Sequence, residues 1–68
     1  MTEDPKAGQT WVHRNGIPYV VLFITNTEHE TPSHPPDVIY VGMNGSWWSR
    51  PLSDWHRSFT ISLASDAI

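Results

Sequence analysis

The sequence predicts an all-β domain, a small antiparallel barrel or curled meander of four to five strands with one short helical turn. Three features carry that prediction. Two Asn-Gly pairs, Asn15-Gly16 and Asn44-Gly45, sit between runs of strand-forming residues, and Asn-Gly in that setting signals a tight hairpin. Those runs are dense in Val, Ile, Tyr, Phe and Trp, the residues that suit a pleated surface. Near the end of the chain, Phe59-Thr60-Ile61-Ser62-Leu63 alternates apolar and polar residues with the period of a strand.

The elements follow in order. Residues 1–9 contain Pro5 and Gly8 and no apolar periodicity, so they read as a flexible leader. A first strand covers residues 10–14. Asn15-Gly16 then turns the chain, because both residues tolerate the positive φ of a type I′ turn. Residues 17–25 form the second strand; Pro18, near its start, must point its nitrogen away from the partner. Residues 26–37 hold three prolines among polar neighbours and read as a loop, long for so small a domain. Residues 38–43 and 46–50 are the third and fourth strands, joined by Asn44-Gly45. Pro51 ends the ladder, and residues 52–56 suit one helical turn, with Ser53 or Asp54 as its cap. The last strand is 59–63, and 64–68 read as a frayed end. One β domain thus spans residues 10–63.

With 68 residues, the chain supports one domain. It opens Met1-Thr2-Glu3-Asp4-Pro5-Lys6, without the basic start and apolar run of an export signal. No stretch approaches the roughly 20 apolar residues of a membrane helix. The expectation is a soluble, cytoplasmic protein with no membrane partner. Cysteine is absent, which removes disulfides, thiolate metal sites and a cysteine nucleophile. Domains this small often need such a staple. Here the substitute is aromatic: Trp11, Tyr19, Phe23, Tyr40, Trp47, Trp48, Trp55 and Phe59, each able to bury on the order of 150–250 Å². The formal net charge is −3. Within 10–63, Arg14, Arg50 and Arg57 stand against Glu28, Glu30, Asp37 and Asp54, and Lys6 lies in the leader. The clustered cations that displace counterions from duplex nucleic acid are missing, so that partner is not expected.

The strands are apolar on both faces. Side chains alternate across a strand, so Tyr19, Val21 and Phe23 share one face of the second strand while Val20, Leu22 and Ile24 share the other. Val38 and Tyr40 oppose Ile39, Val41 and Met43 in the third, and Trp47 opposes Trp48 in the fourth. A sheet with one wet face would alternate apolar with polar. Barrel closure would bury the inner face, and the turn around Trp55 with the last strand would cover part of the outer one. The remainder of strands two to four is expected to meet a second copy or a larger protein.

Residues 44–57 are the densest feature, with three tryptophans, two arginines and a histidine. Trp48 and Trp55 read as core with Arg50 covering them. Trp47 and Arg50 suit either structure or contact. Stacking rings and guanidinium groups suit a planar anion, and the same residue types suit a protein hot spot. His29 and His34, with Glu28 and Glu30 nearby, have a His-x4-His spacing that is no zinc pattern and read as a solvated loop. Ser49 or Ser53, with Asp54 and His56, supply the residue types of a triad, but no G-x-S-x-G elbow frames them. No metal, cofactor or catalytic residue is expected. Gly42, inside a strand, marks a bulge or a close approach.

The run Trp48-Ser49-Arg50-Pro51-Leu52-Ser53-Asp54-Trp55 resembles a family of short bacterial and phage proteins of unknown function, whose signature is Trp-x-Arg-Pro-Leu-x-x-aromatic. Trp11, Gly16, Tyr19-Val20-Val21 and Tyr40 fit the pattern upstream; Trp55 stands where Phe is usual, and the proline loop is longer. The resemblance implies a compact fold similar to SH3-like barrels and no particular activity. The Trp47-Trp48 pair is similar to that of SH3 domains, but Ser49-Arg50 follows one position early and the acidic Ala-Leu-Tyr-Asp-Tyr motif is missing.

The functional expectation is a non-enzymatic interaction module, of phage accessory type, that self-associates or docks on a partner protein, with Tyr40, Trp47, Arg50 and Arg57 as binding residues. The alternative is a binder of a nucleotide-like anion at an oligomer interface, through Trp47, Arg50 and Arg57.

Overall fold

A computed structural model describes residues 3–28 and 33–62. The strands are β1 (Thr10–His13), β2 (Pro18–Ile24), β3 (Asp37–Val41), β4 (Trp47–Pro51) and β5 (Phe59–Ile61), with the short helix α1 (Leu52–Trp55) between β4 and β5. All pairings are antiparallel, and the strands form one open sheet in the order β4-β3-β2-β1-β5. The all-β expectation thus holds, with β2, β3 and β4 as a meander and β5 returning to pair with β1.

Both Asn-Gly pairs close hairpins, but not as type I′ turns. Gly16 has φ +90° and Gly45 has φ +83°, whereas neither Asn15 nor Asn44 has positive φ. The N–H of Gly16 donates to the His13 carbonyl at 2.7 Å, and His13 N–H donates to Ile17 O at 2.9 Å. The second hairpin repeats this: Gly45 N–H to Gly42 O and Gly42 N–H to Ser46 O, both 3.0 Å. These are three-residue loops, a type I turn followed by a left-handed glycine. The asparagines act through their side chains instead. Asn15 Oδ1 accepts from Ile17 N–H at 3.0 Å and Asn44 Oδ1 from Ser46 N–H at 3.1 Å.

Pro18 pairs with Val12, one position along from the bonded pair His13–Ile17. Alternation makes this a non-bonded position, so the missing N–H costs β1 nothing. The leader is tied down over its last residues. Pro5 is buried, Gly8 N–H donates to Val21 O at 2.8 Å, and Val21 N–H donates to Gln9 O at 2.9 Å.

A bulge in β2 overturns the expected assignment of faces. Val21 pairs with Tyr40 and Phe23 with Ile39, so Leu22 is the extra residue. Before it, Tyr19 and Val21 point to the core; after it, Ile24 does, opposite Val38. Phe23, expected beside Val21, is 47% exposed on the other face. Tyr40, expected outside, is buried at 6%, because its partner Val21 faces the core.

The core is an aromatic layer under one face of the sheet. Trp55 and Phe59 stack with centroids 3.8 Å apart and planes 2° from parallel. Trp11 meets Trp55 edge-on at 5.8 Å, and Tyr40 meets both rings edge-on at 5.1 and 5.3 Å. Val21 and Val38 complete the buried set. The turn around Trp55 therefore covers the inner face, where the sequence suggested the outer one. Pro51 is the N-cap of α1 and no side chain caps it; Asp54, a candidate cap, instead binds arginines. The Trp55 indole N–H is buried with no acceptor among the described residues, a cost that the stacking must offset.

Small domains hold about 0.05–0.15 kcal/mol of stability per residue. Truncating a buried ring costs about 3–5 kcal/mol, comparable to the whole. Phe59→Ala is therefore expected to abolish the cooperative urea transition, whereas Met43→Ala, at an 83% exposed site, should shift stability by less than about 0.5 kcal/mol. Far-UV circular dichroism across a denaturant series checks both.

Candidate functional site: the uncovered sheet face

The face opposite the aromatic core is assembled by the register. Thr10 pairs with Val20, and Val20 with Val41; Val41 pairs with Trp47. Phe23, Ile39 and Ser49 form the next row. Val20, Phe23 and Trp47 are 39%, 47% and 66% exposed. At the end nearer the second hairpin, Thr10, Pro18, Val20, Val41, Gly42 and Met43 border a hollow of about 320 Å³ over the edge of Tyr19. Among the described residues, none that is charged lines it. Gly42 is small for a reason internal to the protomer: a Cβ there would lie 3.2 Å from Tyr19 Cε2. Where the sequence suggested a bulge or the approach of another backbone or a flat ligand at Gly42, the close neighbour is the Tyr19 ring.

The predicted binding residues do not converge. Tyr40 lies in the core. Trp47 is on the uncovered face opposite Val41, while Arg50 sits opposite the fully buried Val38 on the other face. Arg50 Nη1 donates to Ser58 Oγ at 2.9 Å and lies 3.4 Å from Asp54 Oδ2, with its guanidinium carbon 5.3 Å from the Phe59 centroid. Arg57 grips the same carboxylate, Nε to Oδ1 at 2.9 Å and Nη2 to Oδ2 at 3.1 Å. Asp54 therefore already partners both guanidinium groups expected to hold an anion, and Trp47 is across the sheet from Arg50. Trp48, expected in the core, is 53% exposed. It points to the inner side opposite Tyr40, but β4 is an edge strand of the sheet, and the aromatic layer does not extend beneath it.

The histidines are dispersed. His13 meets Phe59 edge-on at 5.0 Å, and its Nδ1 accepts the Asn15 N–H at 3.1 Å. His56 Nε2 lies 3.5 Å from Asp4 Oδ1, which ties the leader to the segment after α1. His34 Nδ1 is 3.0 Å from Ser33 Oγ. His29 and Glu30 lie outside the described residues. Among the described residues, no three His, Asp or Glu side chains gather as metal ligands, and no helix is long and apolar enough to cross a membrane.

Comparison with family models, curated proteins and solved structures finds no match to this chain. Val20, Phe23 and Met43 were not among the predicted binding residues. Their signal was the double-faced apolar pattern of β2 and β3, hidden by the bulge at Leu22.

The geometry divides the four tryptophans into two classes. Trp11 and Trp55 are 1% and 0% exposed, against 66% and 53% for Trp47 and Trp48. Acrylamide is expected to quench only part of the native fluorescence, and the double variant Trp47→Phe/Trp48→Phe to lose that quenchable part. Quenching that persists unchanged in the variant contradicts this placement.

Proposed function

We propose that this chain is a non-enzymatic protein-interaction module that buries the uncovered face of its sheet against another protein surface, either its own copy or a larger partner. The observation that carries this reading is the row of exposed apolar side chains on that face, Val20, Phe23 and Trp47, continuous with the hollow beside Met43. Contiguous apolar surface rimmed by polar residues is what contact sites present. An exposed Trp among aliphatic side chains is the composition of a hot spot.

The size of the face bears on the kind of contact. With five strands about 4.8 Å apart and a longest strand about 23 Å long, its footprint is on the order of 500 Å². Stable interfaces bury about 800 Å² on each side. The face thus suits a reversible contact. The uncharged lining of the hollow also favours protein over an anionic ligand, since nothing there would offset negative charge. The strand order β4-β3-β2-β1-β5, with a short helix before the last strand, supports reading the fold as SH3-like. The Trp48-Ser49-Arg50-Pro51-Leu52 run supports an accessory protein of the bacterial and phage type.

Purified protein is expected to show this face as concentration-dependent assembly. Phe23→Asp places a charge in the middle of it, at a position outside the core, and should lower the assembled mass in sedimentation equilibrium while leaving the circular dichroism spectrum unchanged. Identical masses for wild type and Phe23→Asp across a dilution series would count against the reading.

A further inference from the structure

The outer edge of β4, which pairs with no other strand among the described residues, supports a second, separate contact. The Gly42 N–H bonds to Ser46 O, and the Leu52 N–H bonds to Pro36 O. Antiparallel ladders alternate bonded and non-bonded pairs. Between those two fixed points, Trp48 and Arg50 are therefore bonded to Tyr40 and Val38, while Trp47 and Ser49 sit at non-bonded positions and turn their N–H and C=O groups outward. Pro51 falls at the next outward position, where the missing N–H is tolerated.

Edge strands are normally blunted by lysine, by a bulge or by an early proline. Between Trp47 and Ser49 there is none of these: the β3–β4 register runs without a shift, and the side chains are Trp, Trp and Ser. Trp48 overhangs this edge half exposed, outside the buried cluster.

We propose that two copies of the chain pair through β4, antiparallel about a two-fold axis at Trp48. This rests on the self-association part of the interaction-module reading, but the edge carries it and not the face. In that register Trp47 of one copy lies opposite Ser49 of the other, and each such pair exchanges both N–H···O bonds. All the outward backbone groups of Trp47 and Ser49 are then used, and Pro51 is not asked for a donor. The two Trp48 residues become a direct cross-strand pair at a non-bonded position, where side chains approach most closely and aromatic pairs stabilise a sheet. Charge permits the pairing. The nearest ionised group, Arg50, is held by Asp54 and Ser58, so a chain of net charge −3 meets its copy across a neutral strip. An axis perpendicular to the sheet keeps the two uncovered faces on the same side, joined as one surface.

The two contacts are separable by mutation. Ser49→Pro removes an outward donor and leaves the β3 ladder intact. Trp48→Lys sets two like charges against each other at the axis. In the Phe23→Asp background, where the uncovered face is disabled, sedimentation equilibrium is expected to give twice the protomer mass of 7.8 kDa. Adding Ser49→Pro or Trp48→Lys should return it to one protomer, with the circular dichroism of the fold retained in at least one of them. A Phe23→Asp protein at protomer mass at every concentration overturns the edge pairing, as does a folded Ser49→Pro/Phe23→Asp protein that remains dimeric. If Phe23→Asp leaves the wild-type mass unchanged while Ser49→Pro halves it, the face reading fails and the edge pairing stands.

Discussion

Trp55 lies flat on Phe59, 3.8 Å away, and the rest of the fold is arranged around that stack. α1 is too short to be stable as an isolated helix and has no side-chain cap. What holds it is the insertion of Trp55 between Trp11 and Tyr40. Phe59 begins β5, so the same stack brings the last strand back to β1. Arg50 closes the open side of the layer, over the Phe59 ring and bonded to Ser58. Without cysteine, this contact performs the task a disulfide or a metal performs in many domains of this size.

The stack also sets a limit. A single turn and one short strand are all that remains after β4 among the described residues, and Trp55 commits that turn to one face. The residues before β1 go to the central strand β2 and to His56: Gly8 and Gln9 bond to Val21, and Asp4 reaches His56. Among the described residues, neither segment reaches over Val20, Phe23 or Trp47, and these side chains stay exposed.

Much of the fold was legible in the sequence, and each failure has its own physical cause. The two Asn-Gly pairs, the strands between them, the turn after Pro51 and the short last strand are local features, set by φ preferences and by the missing N–H of proline. Turn type was not legible, because Asn-Gly serves both a type I′ turn and a type I turn ending on a left-handed glycine. The choice lies in the φ of Asn15 and Asn44. The direction of side chains was harder still. A bulge normally shows as a break in polar alternation, but β2 is apolar at every position from Tyr19 to Ile24, so slipping one residue at Leu22 left no trace. Phe23 was placed with the wrong neighbours for that reason. Trp48 was misplaced for another: its face was the right one, but being buried also depends on whether anything lies beneath the strand, and strand order is not a local property. Strand geometry also keeps Trp47 apart from Arg50 and Arg57 within one protomer. Trp47 and Arg50, three residues apart in an extended strand, necessarily point to opposite faces.

Both uncovered features converge on β4. It is the end of the sheet, it holds the two exposed tryptophans, and Trp47 stands where the outer face meets the free edge. Arg50 and Pro51, on the same strand, are used internally: one seals the aromatic layer and the other starts α1. Natural edges generally sacrifice a position to lysine or proline to stop unwanted pairing. In β4 that protection begins only at Pro51, the last of the outward-facing positions, after Trp47 and Ser49. β4 turns Arg50 onto its own core and leaves Trp47, Trp48 and Ser49 at its rim, and that combination is the physical argument for the proposed pairing along this strand.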